Sequence, residues 1–210
     1  MPPSVISFRK EYNMRNLRLA ALCVAVGSFG AAQAQLFGFE TVAGGSHTSF
    51  SETSGGVTAT FSQGGDPMDI VGNPGVGSWG SQSLLPYTSS ATPVTVDFSV
   101  AIYSASIQAS DYNADADDLY MIAYAGAGGT GAILDSDYVF WDTWESIPDF
   151  ATLGVSSLTP ILSVQFYGSG YAGLNNMYWD NLEVVAVPEP ATLSALGLAA
   201  LALVRRRKSA

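Results

Sequence analysis

Between Leu19 and Val204 the chain has no lysine and no arginine. All eight basic residues stand in two end clusters: Arg9, Lys10, Arg15 and Arg18, then Arg205, Arg206, Arg207 and Lys208. Of the 18 acids, 16 fall between Gln35 and Val187, so that stretch carries a charge of about −16. It cannot form Lys or Arg salt bridges, and it repels nucleic acid and anionic lipid. Nucleic-acid binding is therefore excluded, and cations are the favoured counter-charge. Cysteine is almost as scarce. The only one, Cys23, lies in an apolar run near the N-terminus, so the middle of the chain has no disulfide to lean on. Long hydrophobic runs are missing too, since neither end reaches the roughly 20 apolar residues a membrane span needs.

The two ends read as addresses. Met14 opens a secretory signal: Arg15 and Arg18 form a basic start, Leu19 to Ala32 is apolar, and Ala32-Gln33-Ala34 is a small-x-small cleavage site. On that pattern Met14 is the expected start and residues 1–34 the signal. At the other end, Pro188-Glu189-Pro190 forms a stiff turn, followed by an apolar stretch to Val204 and the basic stop Arg205-Arg206-Arg207-Lys208. As a helix, Ala191–Val204 would measure roughly 21 Å, against a hydrocarbon core of about 30 Å. A transient inner-membrane association suits that length better than a permanent anchor.

Those C-terminal residues resemble the PEP-CTERM sorting signal. The resemblance covers about the last 23 residues (188–210). It implies export by signal peptidase, processing by an exosortase near Pro188-Glu189-Pro190, and delivery to the surface or extracellular matrix of a Gram-negative bacterium that makes exopolysaccharide. It implies nothing about activity.

Residues 35–187 are rich in glycine, serine, threonine and aromatics, with turn signals at Gly44-Gly45, Gly55-Gly56, Gly64-Gly65-Asp66-Pro67, Asn73-Pro74-Gly75 and Gly128-Gly129. Alternating runs such as Val57–Phe61 and Val94–Ser99 read as half-buried strands. The alternation slips near Ala101–Tyr103, as at a bulge, and resumes with Ala105, Ile107 and Ala109 inward. Leu119–Ala125, Ala132–Leu134, Ile161–Tyr167 and Tyr178–Ala186 bring the count to about eight strands. With no crossover helices, the expectation is all-β: a single antiparallel β-sandwich, jelly-roll-like, flanked by an N-terminal signal helix and a C-terminal hydrophobic sorting helix.

Three groups of residues are candidates for chemistry. Asp111, Asn113, Asp115 and Asp117 place oxygen-bearing side chains on alternate positions, as in the first half of a Ca²⁺ loop. The glycine and glutamate of an EF-hand are missing, and an exposed acidic turn is the other reading. Asp180 is in phase with Leu182 and Val184, so its carboxylate points to the apolar face and needs a partner. Phe39-Glu40, read as part of the first strand, and Trp179-Asp180-Asn181-Leu182-Glu183-Val184, in the last, resemble carbohydrate-binding modules of jelly-roll type. That resemblance implies a structural Ca²⁺ between terminal strands, held by Glu40 and Asp180; backbone donors to Asp180 are the alternative.

The third group is aromatic. Sugar rings stack on aromatic faces, and Trp141 and Trp144 stand in the acidic run Phe140–Glu145, the expected exposed carbohydrate platform. Core packing is the competing role. His47 sits in a polar Gly-Ser loop, and no catalytic motif is present. The expected function is a non-catalytic, calcium-stabilised surface domain that binds exopolysaccharide or other surface proteins. A passive structural role in matrix or envelope is the first alternative, and a glycoside hydrolase or lyase the second.

Overall fold

The computed structural model describes residues 33–90, 92–111, 116–142, 147–170, 173–174 and 176–186. The expected flanking helices, the sorting motif, Ala32, Asn113, Asp115 and Trp144 lie outside the described residues. Ala34–Val187 forms one compact unit. Among the described residues twelve antiparallel strands make it up: β1 (Ala34–Phe37), β2 (Gly45–His47), β3 (Ser49–Ser54), β4 (Val57–Ser62), β5 (Met68–Gly72), β6 (Gln82–Leu85), β7 (Val94–Ser110), β8 (Asp117–Tyr124), β9 (Ile133–Trp141), β10 (Ala151–Gly170), β11 (Gly173–Leu174) and β12 (Tyr178–Ala186).

Two strands are long enough to serve both layers of the sandwich. Val94, Val96 and Phe98 of β7 are buried, then Ile102, then Ala105, Ile107 and Ala109, so the inward phase changes from even to odd. The pairing of β10 with β7 shifts register in the same region, between Ser156 and Ile161 and again before Ser163. This is the slip read from the sequence at Ala101–Tyr103. Each strand turns out of one layer into the other while the pair stays hydrogen-bonded. One layer runs β2-β5-β6-β12 and on to the C-terminal half of β7 and the start of β10, with β1 along β12. The other runs β3-β4, the start of β7, the second half of β10, then β8 and β9.

Between the layers lies an apolar core that includes Phe37, Phe61, Leu84, Ile107, Leu119, Leu153, Phe166 and Trp179, all at 0% exposure. Phe166 and Trp179 meet across the layers at 4.7 Å, and Phe39 packs edge-on against Phe61 at 5.3 Å. Each such ring buries enough apolar area to contribute roughly 2–3 kcal/mol. That is how this domain holds together without disulfides or ion pairs.

Both seams between layers are closed by carboxylates. At one seam Glu52 of β3 accepts the Phe39 N–H at 3.1 Å, just past β1. At the other, the first half of β10 has β7 on one side only. Its outward Gly154 and Ser156 N–H groups donate to Asp137 and Asp135 of β9, each at 2.7 Å.

Candidate functional site

Asp180 is where the sequence pattern places it: on β12, inward, at 0% exposure. Its neighbour Asn181 has a positive φ of 51°, and the β12–β7 register shifts immediately afterwards. The bulge lets Trp179 and Asp180 both turn to the interior. Asp180 Oδ1 accepts the Asn181 N–H at 2.6 Å, while Oδ2 is buried with no hydrogen-bond partner. Burial raises this carboxyl to a pKa of about 7, opposed by the Asn181 N–H and, less, by the nearby Gly80 backbone, and reinforced by the charges of Glu40 and Glu52.

Glu40 is not in the first strand, as the sequence suggested. β1 ends at Phe37, and Phe39 turns the chain with a φ of 62°, leaving Glu40 exposed in the following turn. From there its carboxylate reaches the β5–β6 connection, accepting Ser81 N–H and Ser81 Oγ–H at 2.5 Å each and Gln82 N–H at 3.0 Å. Those donors, the Ser81 hydroxyl first, hold Glu40 below the usual carboxylate range. The carboxylate lies directly over Gly80, where a Cβ would collide with it. Glu52, missed in the sequence, is the third acid here; it is 7% exposed and also accepts the Thr41 hydroxyl at 3.0 Å.

Asp111 and Asp117 are both buried, at 0% and 2% exposure, which removes the reading of these two as a solvated turn. Asp111 follows the end of β7 and Asp117 begins β8, and residues 112–115 between them lie outside the described set. Among the described residues, no group of three or more His, Cys, Asp or Glu is placed to hold a metal ion.

Trp141 requires a correction. It is 2% exposed and belongs to the core, so it offers no face to a sugar. Strand β9 runs as far as Trp141, which falls on its inward phase with Val139. Outward on the same strand are Tyr138 and Phe140, 52% and 55% exposed. Tyr138 lies opposite Tyr120 of β8, which lies opposite Tyr167 of β10. The ring centroids follow at 5.1 and 4.8 Å, the second pair stacked with 16° between planes. Tyr138 donates its hydroxyl to Asp118 at 2.6 Å, which pushes the phenol up to about 12. His47, expected in a loop, ends β2 and hydrogen-bonds the Ala43 carbonyl at 2.7 Å.

The architecture defines an acidic all-β domain. Its address comes from the far end of the chain, where residues 186–208 match the PEP-CTERM protein-sorting motif. The chain is therefore an exported protein of the exosortase-processed kind, directed to the cell envelope or surface. Comparison with curated proteins gives no match. Among solved structures it is similar to a GH51 α-L-arabinofuranosidase determined with arabinose bound, at 12% identity and a TM-score of 0.40, over 76% of this chain and 27% of that one. So distant a likeness carries no argument. Among the described residues no helix is long and apolar enough to cross a membrane.

Proposed function

We propose that this is a non-catalytic surface module, a β-sandwich stabilised by Ca²⁺ and engaged with exopolysaccharide or neighbouring surface proteins outside the cell. One observation carries the calcium reading: Asp180 Oδ2 is buried and unpartnered at the junction of the first and last strands, with Glu40 close enough to repel it. Leaving a buried carboxylate oxygen without a partner costs several kcal/mol unless the group stays protonated or meets a cation. Asp180 and Glu40 supply hard oxygen donors of the kind Ca²⁺ takes, with backbone carbonyls and water to complete its 6–8 ligands. When bound, the ion would neutralise both charges and tie the turn after β1 to β12.

The pair also has the look of an acid and a base, one carboxyl raised and one lowered, which is what a glycoside hydrolase needs. At 0% exposure, however, Asp180 cannot meet a glycosidic oxygen, so the geometry supports a structural role.

Melting of the full chain in EDTA and in millimolar Ca²⁺ tests this. An ion at a hundred times its Kd adds about 2.7 kcal/mol. In Ca²⁺ the wild type should melt several degrees higher than in EDTA, and Asp180→Asn should lose that gain. A wild-type midpoint indifferent to Ca²⁺ would remove the ion from the account.

A further inference from the structure

We propose that the outward face of β8, β9 and β10 is a binding shelf for a polysaccharide bearing free amines, with Tyr138, Tyr120 and Tyr167 as its floor and Asp118 as its polar partner. The proposal rests on the reading of the chain as a polysaccharide-engaging surface protein for the ligand's setting, and on the sheet face for its chemistry.

Three phenol rings in adjacent strands make a row two strand spacings long, roughly 10 Å. Phe140, diagonal to Tyr120, widens it on the β9 side. Neighbouring inward positions on these strands, Leu119, Met121 and Phe166, already fill the core, so the rings are not needed there. The row is also held still. Tyr138 is tied to Asp118, and Gln165 next to Tyr167 is fixed between the Tyr124 hydroxyl at 2.9 Å and Thr95 Oγ1 at 3.1 Å. Fixed rings lose little side-chain entropy when a ligand settles on them.

At one end the hairpin turn after β8 folds down onto the sheet, with Gly128 N–H on Asp97 Oδ1 at 2.5 Å and Gly129 N–H on Ser163 Oγ at 3.0 Å. The shelf therefore has a wall. An extended ligand lies along the row beside it.

Charge decides which ligand. The domain has no lysine or arginine, so an anionic glycan is repelled, as is a second copy of the chain. The carboxylate tied into the row is Asp118, an acceptor at its edge. A protonated amino sugar answers both features. Its C–H face stacks on a ring, and its ammonium is attracted to the electron-rich ring face and to Asp118.

Calorimetric titration of the full chain with a β-1,4-linked glucosamine hexamer, at mildly acidic pH where its amines are protonated, tests the proposal. Cellohexaose is the uncharged comparison. Tyr120→Ala and Tyr138→Ala remove no charge, so loss of binding in them cannot come from the protein's overall negative field. Each should weaken the glucosamine hexamer roughly tenfold, whereas Tyr87→Ala, elsewhere on the surface at 45% exposure, should not. Tyr138→Phe, which keeps the ring, should retain most of the affinity and covers the event that an alanine variant misfolds. Equal binding by the wild type and both tyrosine-to-alanine variants overturns the proposal, as does no binding by the wild type, or cellohexaose bound as tightly as the glucosamine hexamer. Repeating the titration in EDTA separates the two readings: hexamer binding that survives where Ca²⁺ gives no thermal shift would sink the calcium site and leave the shelf.

Discussion

In a domain without lysine or arginine, carboxylates must find other donors, and here several take backbone N–H groups. Glu40 takes two N–H groups, Glu52 one, Asp97 one, Asp135 two, Asp137 two, and Asp180 one through Oδ1. Asp180 has a second oxygen that this arrangement leaves over, and it gives the domain a pH dependence of definite sign. Its folded pKa, about 7, lies above the ordinary 3.8, so the native state keeps a proton that the unfolded chain releases. The associated stability is complete below the usual carboxylate range, falls as pH rises towards about 7, and is gone above that. In EDTA the melting midpoint should therefore decline across that interval, and Asp180→Asn, neutral throughout, should flatten the decline. At alkaline pH in EDTA the variant should melt about 3 °C or more above the wild type, equivalent to roughly 1 kcal/mol; in Ca²⁺ the order should reverse. A wild type with no decline would show that Asp180 is ionised and satisfied. Gly80→Ala is the companion test from the other side of the site, because its new methyl occupies the seat of the Glu40 carboxylate. It should reduce the Ca²⁺-induced shift in the same melting series. That Asp180 points inward was legible from period-two alternation with Leu182 and Val184. Its neighbours were not, because Gly80 and Glu52 come near it only through the fold.

At the scale of the strand, the acids of β9 do work that composition concealed. The sequence suggested a short strand at Ala132–Leu134 and did not carry it through Asp135-Ser136-Asp137. In the structure Ile133–Trp141 is continuous strand, because each of the two aspartates bridges its own strand and the open side of β10. A carboxylate offers two oxygens on one carbon; one accepts the next N–H of β9, the other an N–H of β10. Open strand edges invite pairing with a second chain, and inward-turned charge is a common protection. The double substitution Asp135→Ala with Asp137→Ala should cost on the order of 1 kcal/mol per lost cap in urea unfolding. It should also produce concentration-dependent association in size-exclusion chromatography. Association without loss of stability would point to charge removal alone, and neither effect would mean the caps are incidental. The same misreading of β9 hid the tyrosine row. Once the strand runs to Trp141, alternation alone turns Trp141 inward and Tyr138 and Phe140 outward. By contrast Val94–Ser99, Ala105–Ala109 and Tyr178–Ala186 were readable, because their apolar positions alternate and the core face is unambiguous.

For the molecule as a whole, the 16 acids between Gln35 and Val187 with no lysine or arginine produce a field that short-range capping does not cancel. A backbone N–H stabilises the carboxylate it touches, but it brings no net charge, so carboxylates on different faces still repel one another. Folding brings them closer than they are in the open chain, which destabilises the compact state. Added salt shortens the range of that repulsion, to about 8 Å at 0.15 M. The full chain should therefore melt higher as NaCl rises from about 10 mM towards 0.15 M, and KCl should do the same, since screening does not distinguish the two ions. Ca²⁺ compared with Mg²⁺ at matched ionic strength should then show an additional rise, because only a site with fixed oxygens discriminates between them. If NaCl alone reproduces the whole effect of Ca²⁺, the acids act as a diffuse surface and Asp180 is kept neutral by its proton. If salt leaves the midpoint where it was, the repulsion is already relieved locally, and the negative charge of this domain would serve the choice of ligand without a cost in stability.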